Sequence, residues 1–449
     1  MVAPVLTLSP EALRALQDDA LAQMVALCER GHPYYQRLLR QHGLRASDLR
    51  TTEDLQKLPL TRKQDLMHAP EAFRLTLPEL PVAERVLWDI AYTTGTTGQP
   101  TPVYSTTHDF YANLECWRRL WTIAGVRRDD IVANLFPLTS YPSGAFLRTA
   151  ISSIGALVLN ALPGASYPPF PVQRSVDEVI DLVVEKGATV LGAVPSFLRR
   201  LLMRAEERQA DFSRVRLVCL TGEACPPGLR EDLRARLLRL GARAPRINVR
   251  LGFTEAQAAF VECEEGGPLM NPAPDLLFFE IVDPASGERL PDGQPGLLVM
   301  THLNRRGTVL LRYVLGDVTA LARDRCSTCG LTTERVLQPP VRADHLTKVR
   351  GMLVNPDVIH DLLAAQPEVE EYQIVFRKED PRDPYSRDEL VLRLAVAGEA
   401  TAVSQAVAAA VREAVRVNPV IEIVERAAIF VPGAGMKARR VIDLRPKPE

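Results

Sequence analysis

Four short apolar runs, interspersed with segments of helical spacing, constrain the fold of this chain more than any other feature. The runs DDIVANLFP, GALVLNALP, GATVLGAVP and RVRLVCLTGE each end in a turn. The segments SVDEVIDLVVEK and PSFLRRLLMRAEERQ lie among them and carry apolar residues at helical intervals. Apolar runs that alternate with helices are typical of largely parallel strands. We therefore predict an α/β fold.

The pattern changes further along the chain and divides it into parts. After RINVRLGFTEAQ it becomes rich in strands, with LLFFEIVD, GLLVMTHL and TVLLRYVLGD separated by turn-forming residues. The last ~100 residues carry two strand-like runs around the helix AVSQAVAAAVREAV. A chain of 449 residues is too long for one hydrophobic core. We predict a large N-terminal domain at 1–342, with α/β layers and a β-rich part at about 256–342, and a small, mobile C-terminal α+β domain at 343–449.

Composition narrows the classes of function. The chain has 54 Lys plus Arg and 55 Asp plus Glu, so its net charge of −1 gives no general attraction to nucleic acid or to an anionic membrane. No run approaches the ~20 apolar residues that span a bilayer, and the N-terminus lacks a secretory pattern. Seven cysteines in so long a chain do not make a disulfide scaffold. We expect a cytoplasmic protein with no nucleic-acid or membrane partner.

The stretch YTTGTTGQPTPVY, from Tyr92 to Tyr104, contains six consecutive residues that are only Thr or Gly. It follows the apolar run RVLWDIAY, so we expect it at the end of a strand, where α/β sheets bind ligands. Gly95 and Gly98 let backbone N–H groups approach a ligand, and with four Thr hydroxyls they make a concavity suited to phosphate. No Gly-Lys-Ser/Thr follows, so this is not the lysine-bearing phosphate loop. By itself, the loop could equally be a flexible hairpin tip.

Six motifs in order favour the phosphate interpretation: TTGTTGQP, LTGEACPP, LGFTEAQ, LRYVLGDV, RADHLTKVRG and GAGMKARRVIDLR. Together they resemble the adenylate-forming enzymes, which include acyl- and aryl-CoA synthetases, the adenylation domains of peptide synthetases, and luciferase. The likeness is greatest to the compact phenylacetate–CoA ligase branch. It implies that the chain activates a carboxylic acid with ATP and Mg²⁺, releases pyrophosphate, and transfers the acyl group from the acyl-adenylate to a thiol, that of CoA.

The resemblance also assigns the nucleotide contacts. It implies that six loop residues cradle the β- and γ-phosphates: Thr93, Thr94, Gly95, Thr96, Thr97 and Gly98. Gly222, Glu223 and Phe253 are expected to frame the adenine. Asp317 is expected to accept hydrogen bonds from both ribose hydroxyls, because one carboxylate has two acceptor oxygens, and Arg342 to add a further contact. The lysine that the family often has after the loop is missing from GQPTPVY, so positive charge must come from elsewhere.

Three residues are expected to carry the chemistry by the same resemblance. Lys437, in GAGMKARRV, would bridge the substrate carboxylate and the α-phosphate, although a surface lysine is the alternative. Glu255 would help to hold Mg²⁺, and Thr254 would join the phosphate shell. The alternative for Glu255 is the start of a helix, TEAQAAF. Arg312 could either be structural or contact phosphate.

The family's hinge position corresponds to Asp344, where the small domain is expected to rotate after adenylation. The segment from Lys348 to Gly351 would then border the second site, where the acyl group is transferred. The alternative is a charged loop that only joins two domains. In this superfamily the rotation removes the catalytic lysine from the site, so we expect the two half-reactions to use different residues.

The acyl pocket is expected in NLFPLTSYPSGAF and GAVPSF. Phe136, Tyr141, Phe146 and Ala193 could enclose an apolar or aromatic acid, and each could equally be a core residue. The acceptor is also open between CoA, a carrier-protein thiol and an amine. Two further alternatives are a nucleotidyltransferase acting on a cofactor hydroxyl and a catalytically decayed nucleotide-binding protein. A homodimer is kept as a candidate assembly.

Cys326 and Cys329, in CSTCG, have the spacing of a zinc knuckle. Cys263 could supply a third ligand for a structural Zn²⁺. Some relatives of the phenylacetate–CoA ligase group carry a metal on such a cysteine set with a nearby His. This chain has Met270 in that region, and thioether is a poor zinc ligand, while His302 is a candidate replacement. The sequence leaves open whether zinc is bound or the thiols are free.

Overall fold

The computed structural model describes residues 3–93, 100–136, 143–164, 173–337, 340–342, 347–349, 352–383, 386–429 and 440–445. The chain divides into two compact units. The first comprises Met1–Asn160, Ala188–Gly192 and Asn248–Val341. The second comprises Ala161–Gly187, Ala193–Ile247 and Arg342–Glu449. No helix among the described residues is both long enough and apolar enough to cross a membrane.

The described residues form helices and strands throughout both units, together with short 3-10 turns. The helices are α1 (Pro10–Gly31), α2 (Pro33–Gln41), α3 (Lys63–His68), α4 (Val82–Arg85), α5 (Thr107–Ile123), α6 (Ser143–Ile154), α7 (Val176–Lys186), α8 (Pro195–Glu207), α9 (Pro227–Arg239), α10 (Pro356–Ala364), α11 (Ala400–Val415) and α12 (Arg426–Ile429). The strands are β1 (Leu87–Tyr92), β2 (Pro102–Thr106), β3 (Ile131–Asn134), β4 (Leu157–Asn160), β5 (Val190–Ala193), β6 (Leu217–Leu220), β7 (Arg246–Phe253), β8 (Ala258–Glu262), β9 (Leu269–Met270), β10 (Leu277–Val282), β11 (Gly296–His302), β12 (Tyr313–Thr319), β13 (Leu321–Ala322), β14 (Arg335–Val336), β15 (Val341–Arg342), β16 (Thr347–Val349), β17 (Met352–Val354), β18 (Val369–Lys378), β19 (Asp388–Val396), β20 (Val420–Ile423) and β21 (Val441–Asp443).

Parallel strands form where the sequence predicts them. β3 pairs in parallel with β4 on one side and with β5 on the other. Each predicted apolar run contains one of the strands β3 to β6, and β5 and β6 are buried at every position. Side chains of such strands are covered on both faces, which explains their continuous rather than alternating apolar pattern. The prediction of an α/β fold is confirmed.

An antiparallel sheet of β10, β11 and β12 forms the β-rich part of the first unit. The N-terminal helices share its core, in which Met24, Tyr35 and Phe73 lie in one cluster with Phe279 and Tyr313. The third predicted strand, TVLLRYVLGD, is shorter in the structure and starts only at the Tyr of β12. The residues before it instead form an irregular segment that closes against the N-terminal region.

Arg312 ends that irregular segment and has a structural role in this arrangement. Its backbone adopts a left-handed φ of 50°. Its buried guanidinium pairs with Glu280 at 3.1 Å and donates to the carbonyl oxygens of Leu58 and Gly287, both at 2.8 Å. A buried arginine needs such a set of acceptors to offset its desolvation. These contacts within the fold give Arg312 a structural role, one of the two roles that the sequence left open.

The second unit has a sheet in its C-terminal segment. β18 and β19 form a long antiparallel pair, and β20 and β21 add in parallel at β19 and β18, respectively. Helices α10 and α11 pack on this sheet through Ile359, Leu363, Val407 and Val411, which lie in one buried cluster with sheet residues such as Leu392. Strands and helices thus occur in the α+β combination that the sequence predicts for this part of the chain.

Candidate nucleotide and metal sites

The Thr/Gly loop connects the two strands of an antiparallel hairpin, β1 and β2. Thr93 N donates to the carbonyl oxygen of Thr101 at 3.0 Å, and Thr101 N donates to the hydroxyl of Thr93 at 3.0 Å. These two bonds close the base of the loop. The loop follows a strand, as the sequence predicts, and β1 pairs only with β2 among the described residues.

Buried polar groups hold this hairpin to the rest of the first unit. Arg305, which is buried, donates from Nη2 to the Tyr104 carbonyl at 2.9 Å and to the Ser105 hydroxyl at 2.8 Å. The buried carboxylate of Asp109 accepts from the backbone N–H of Arg306 at 2.7 Å and of Gly307 at 2.8 Å. These residues were not predicted from the sequence, in which the Arg-Arg-Gly of NRRGT was the available signal.

Gly307 is needed for the same contact, because backbone approaches backbone there. A Cβ at this position would lie 2.2 Å from the carbonyl oxygen of Tyr104. Real Cβ atoms do not come so close to an oxygen, so any side chain would push the hairpin away. The strand that follows the Thr/Gly loop is therefore held through its main chain.

Thr254 and Glu255 lie in a tight turn between β7 and β8. The turn is closed by Gln257 N, which donates to the carbonyl oxygen of Thr254 at 3.1 Å. β8 then pairs antiparallel with β7, so Phe253 faces Ala258. The alternative in which Glu255 starts a helix is wrong. Glu255 Oε1 accepts a hydrogen bond of 3.3 Å from the hydroxyl of Tyr313 on β12.

Asp317 is placed by an irregularity in β12. On β11, Leu297 and Val299 face Val318 and Val314, so three residues of β12 lie opposite one residue of β11. Gly316, inside this bulge, adopts a φ of 85°, which favours glycine. Bulges re-aim side chains and are common beside active sites. The buried Asp317 thus lies on the same strand as Tyr313, the residue that contacts Glu255.

Phe253 lies next to this turn but inside the core of the first unit. It is buried, and its ring meets the ring of Phe260 edge-on at 6.4 Å between centroids. Two candidate acyl-pocket residues also belong to this unit. Phe136 is buried, and its N–H donates to Asn134 Oδ1 at 3.3 Å, whereas Phe146 stacks on Trp117 at 5.2 Å.

The second unit carries the candidate adenine segment. Gly222 has a φ of 92°, which favours glycine. The carboxylate of Glu223 accepts from Ser196 N at 3.1 Å and from the Ser196 hydroxyl at 3.0 Å, at the start of α8. A carboxylate is stabilised there by the unpaired N–H groups of the helix. Ala193 is fully buried at the end of β5, just before this helix.

Arg199, on α8, joins three elements of the second unit. It is 8% exposed and donates from Nε to Asp232 on α9 at 2.9 Å. Its other nitrogens donate to the carbonyl oxygens of Glu370 at 2.7 Å and of Val369 at 3.2 Å, at the start of β18. Gly228 N also donates to Asp361 on α10 at 3.3 Å. The C-terminal segment is therefore held to α8 and α9 by buried polar contacts.

Arg440, the third residue after Lys437 in the sequence, makes several contacts in the second unit. Arg440 pairs with the buried carboxylate of Glu371, donates to the carbonyl oxygen of Tyr372 at 2.8 Å, and lies over the Tyr372 ring at 4.2 Å. Lys437 itself lies outside the described residues, as do Thr94 to Gly98, Tyr141, Asp344 and Gly351. Arg342 and Lys348 lie in β15 and β16, respectively.

Three cysteines form a cluster in the first unit. The Sγ atoms of Cys263, Cys326 and Cys329 all lie within 4.8 Å of one another. Burial raises the pKa of the Cys326 thiol. Hydrogen bonds from the backbone N–H groups of Cys329 and Thr328 outweigh this effect and lower the pKa below its usual value. Among the described residues, no His, Asp or Glu joins the three thiols.

His302, the candidate fourth ligand, does not join this cluster, and Met270 lies where a His was sought. Met270 packs in the same apolar cluster as Cys326. His302 is buried elsewhere in β11, where its Nδ1 accepts from Leu310 N at 3.0 Å. Burial also holds the pKa of His302 well below its usual range. The described ligand set therefore contains three sulfur atoms.

Comparison with known proteins identifies relatives along the whole chain. A family model described as AMP-binding enzyme matches residues 2–304. The phenylacetate-coenzyme A ligase of Thermus thermophilus is 30% identical over 464 residues, which cover 98% of this chain and 98% of that protein. The phenylacetate-coenzyme A ligase of Aromatoleum evansii is 26% identical over 459 residues, covering 99% and 97%. The predicted adenylate-forming family is confirmed.

Solved structures agree with these relatives on the fold. A crystal structure of 2-hydroxyisobutyryl-CoA ligase in the postadenylation state aligns with a TM-score of 0.81 and 22% identity, covering 98% of this chain and 91% of that one. A second structure, of ATP-bound MatB from Rhodopseudomonas palustris, aligns with a TM-score of 0.57 and 18% identity, covering 82% and 68%. Both share the mixed α/β fold with this chain.

Proposed function

The chain belongs to the AMP-binding enzyme family, and on that basis we propose that it is an AMP-forming acid–thiol ligase. The reaction joins a carboxylic acid to ATP, with loss of pyrophosphate, and then transfers the acyl group from the adenylate to CoA. Phenylacetate is the first acid to test, because two relatives that align over 98% and 99% of the chain are phenylacetate-coenzyme A ligases. By the same argument, the thiol that accepts the acyl group is that of CoA.

The observation that carries this proposal is the convergence of three motifs in the first unit. The hairpin with the Thr/Gly loop is tied to the Thr254–Gln257 turn, since Gln257 Oε1 accepts from Ser105 on β2 at 2.8 Å. That turn contacts β12, the strand of Asp317, through Tyr313. Residues proposed for the phosphates, the magnesium ion and the ribose therefore lie on elements in direct contact.

These residues divide the work of the first half-reaction. A negatively charged carboxylate must approach the negatively charged α-phosphate, so the site has to neutralise charge and fix the geometry. Mg²⁺, when bound with ATP, neutralises phosphate charge, and Glu255 would hold it together with phosphate and water ligands. Lys437 would bridge the carboxylate and the α-phosphate. Asp317 would accept from the ribose hydroxyls, which orients the α-phosphate.

The second half-reaction requires the C-terminal segment to move in this proposal. Rotation about Asp344 would withdraw Lys437 and bring Lys348 and Gly351 to the CoA thiol. The contacts of Arg199 with Glu370 and Val369 would then break, because they join α8 to the moving sheet. The predicted domains, 1–342 and 343–449, are the two bodies of this motion.

The activity is tested by measuring pyrophosphate release with aryl, aliphatic and amino acids, with and without CoA. We expect phenylacetate or a similar apolar acid to release pyrophosphate, and CoA to permit multiple turnovers by removing the adenylate. Turnover with amines or with a carrier-protein thiol but not with CoA would assign a different acceptor. Pyrophosphate release that no carboxylic acid stimulates would contradict the proposal and favour transfer of AMP to another substrate.

Two lysine variants should separate the half-reactions. Lys437→Ala should slow adenylate formation by about 10²- to 10³-fold, because it removes a charge that stabilises the transition state. Lys348→Ala should form the adenylate normally but transfer it slowly to CoA. The measurements are ATP–pyrophosphate exchange for the first step and thioester formation from supplied acyl-adenylate for the second. Near-normal exchange by the Lys437 variant would refute its role.

A structural zinc ion is the finer proposal for Cys263, Cys326 and Cys329. Their spacing and the N–H groups that point to Cys326 suit a zinc knuckle, in which Zn–S distances are about 2.3 Å. The three thiolates would hold such an ion from the described part of the chain. Such an ion would stabilise the segment around Cys326 without taking part in the reaction.

Metal content tests this site directly. Protein purified without chelators should contain about one equivalent of zinc per chain. Cys326→Ala should lower this to about a tenth and reduce the melting temperature, because metal binding adds to folding free energy. Cys28→Ala, which removes another buried thiol outside the cluster, should keep its zinc. A wild-type protein with about a tenth of an equivalent or less would exclude a structural zinc ion.

The proposal also covers two properties of the whole protein, its cellular compartment and its oligomeric state. All seven cysteines lie among the described residues and are thiols rather than disulfides, which suits a reducing compartment such as the cytoplasm. A homodimer is a candidate assembly, since several apolar side chains of β1 and its neighbours, among them Trp88 and Tyr111, are exposed. Size-exclusion chromatography with light scattering measures the assembly independently of activity.

A further inference from the structure

Gln257 combines two unfavourable features at the end of the Thr254–Gln257 turn. Its backbone has a φ of 49°, in the left-handed region that glycine occupies more readily. Its side chain is 2% exposed, and its Nε2 has no hydrogen-bond partner among the residues that the structure describes. Strained backbone and unsatisfied buried groups persist where the surroundings enforce them, and they cluster at functional sites.

The surroundings of Gln257 supply three hydrogen bonds that enforce this conformation. Its Oε1 accepts from the hydroxyl of Ser105 on β2 and from Nδ2 of Asn113 on α5, both at 2.8 Å. Its main-chain oxygen accepts from Nε1 of Trp117, also on α5, at 2.8 Å. All three donors are buried. The end of the turn is therefore attached to the hairpin and to the helix that follows it.

The direction of the bond from Ser105 is determined by Arg305. A guanidinium has only donors, so the Ser105 oxygen must accept from Arg305 Nη2 at 2.8 Å. The Ser105 hydroxyl hydrogen is then directed to Gln257 Oε1. Because Asn113 Nδ2 is also a donor, position 257 must present an acceptor oxygen to both. An amide or a carboxylate of this length meets that requirement, and an aliphatic side chain does not.

We propose that Gln257 is a positioning residue that sets the place of Thr254 and Glu255 relative to the phosphate-binding hairpin. This inference rests on the proposed function, in which Glu255 holds Mg²⁺ on phosphates bound by that hairpin. Glu255 is held from its other side by the hydroxyl of Tyr313 at 3.3 Å. Gln257 is not a catalytic residue, because it acts on the nucleotide only through the turn.

Three substitutions separate the backbone from the side chain. Gln257→Ala removes the acceptor and leaves a Cβ at positive φ, whereas Gln257→Gly removes the acceptor and relieves the strain. Gln257→Glu retains an acceptor oxygen at the same length. The readout is ATP affinity by titration calorimetry at increasing Mg²⁺, which needs no carboxylic acid.

Mg²⁺ increases ATP affinity, and we measure the Mg²⁺ concentration that gives half of this increase. We expect that concentration to rise by about 10- to 100-fold in both the Ala and the Gly variants, as for other residues that orient a metal ligand. Gln257→Glu should stay within about threefold of the wild type, because the acceptor oxygen that orients the turn is retained. ATP affinity without Mg²⁺ should change little in all three. A general loss of structure would instead lower ATP affinity at every Mg²⁺ concentration.

Gln17→Ala is the matched control. Gln17 is also a buried glutamine of the first unit, and its Nε2 donates to the Pro274 carbonyl at 3.0 Å and to Glu334 at 2.8 Å, in a network separate from the turn. It should lower the melting temperature and leave the Mg²⁺ dependence unchanged.

Two outcomes would overturn the inference. One is a wild-type Mg²⁺ dependence in Gln257→Gly. A shift seen only in Gln257→Ala would then come from backbone strain and not from loss of the acceptor oxygen. The other is an equal shift in Gln17→Ala, which would assign it to general stability. If the wild-type protein binds ATP with Mg²⁺ but activates no carboxylic acid, the proposed function is contradicted. The Mg²⁺ titrations of the variants would still test the role of Gln257.

Discussion

The candidate site depends on the hydrogen bonds of one buried guanidinium, that of Arg305. It joins the loop before β12 to Tyr104 and Ser105, on the strand that follows the Thr/Gly loop. Burial lowers the pKa of Arg305, and the charges of Asp109 and Asp89 oppose this effect. A two-stranded hairpin has little core of its own, so a loop of threonine and glycine cannot be held in place by β1 and β2 alone.

The same constraint explains why main-chain groups dominate the contacts around the hairpin. Asp109 binds backbone N–H groups, Arg305 binds backbone carbonyls, and Gly307 allows two backbones to approach without a side chain between them. Such contacts hold the strand that follows the loop without side-chain bulk between the two backbones. The turn with Glu255 then joins the hairpin through Ser105 and Gln257.

The sequence predicts the parallel strands because their burial makes them continuously apolar. The run RVLWDIAY is equally apolar and also forms a strand, yet Trp88 is 58% exposed and Ile90 is also exposed. Apolar composition does not distinguish a buried strand from an exposed one. The turn at Glu255 was open to a helical interpretation, since TEAQAAF contains good helix formers, and pairing of β8 with β7 overrides that propensity. Contacts such as Ser105 to Gln257, 152 residues apart, have no local pattern.

The central claim is that a carboxylate oxygen attacks the α-phosphorus of ATP. The most direct measurement is mass spectrometry of the AMP formed when the enzyme turns over an activated acid, here phenylacetate, labelled with heavy oxygen in its carboxylate, in the presence of CoA. The account predicts that each AMP carries one labelled oxygen in its phosphate, because the bond broken in acyl transfer lies between the acyl carbon and that oxygen. Unlabelled AMP, or label in inorganic phosphate, would contradict it.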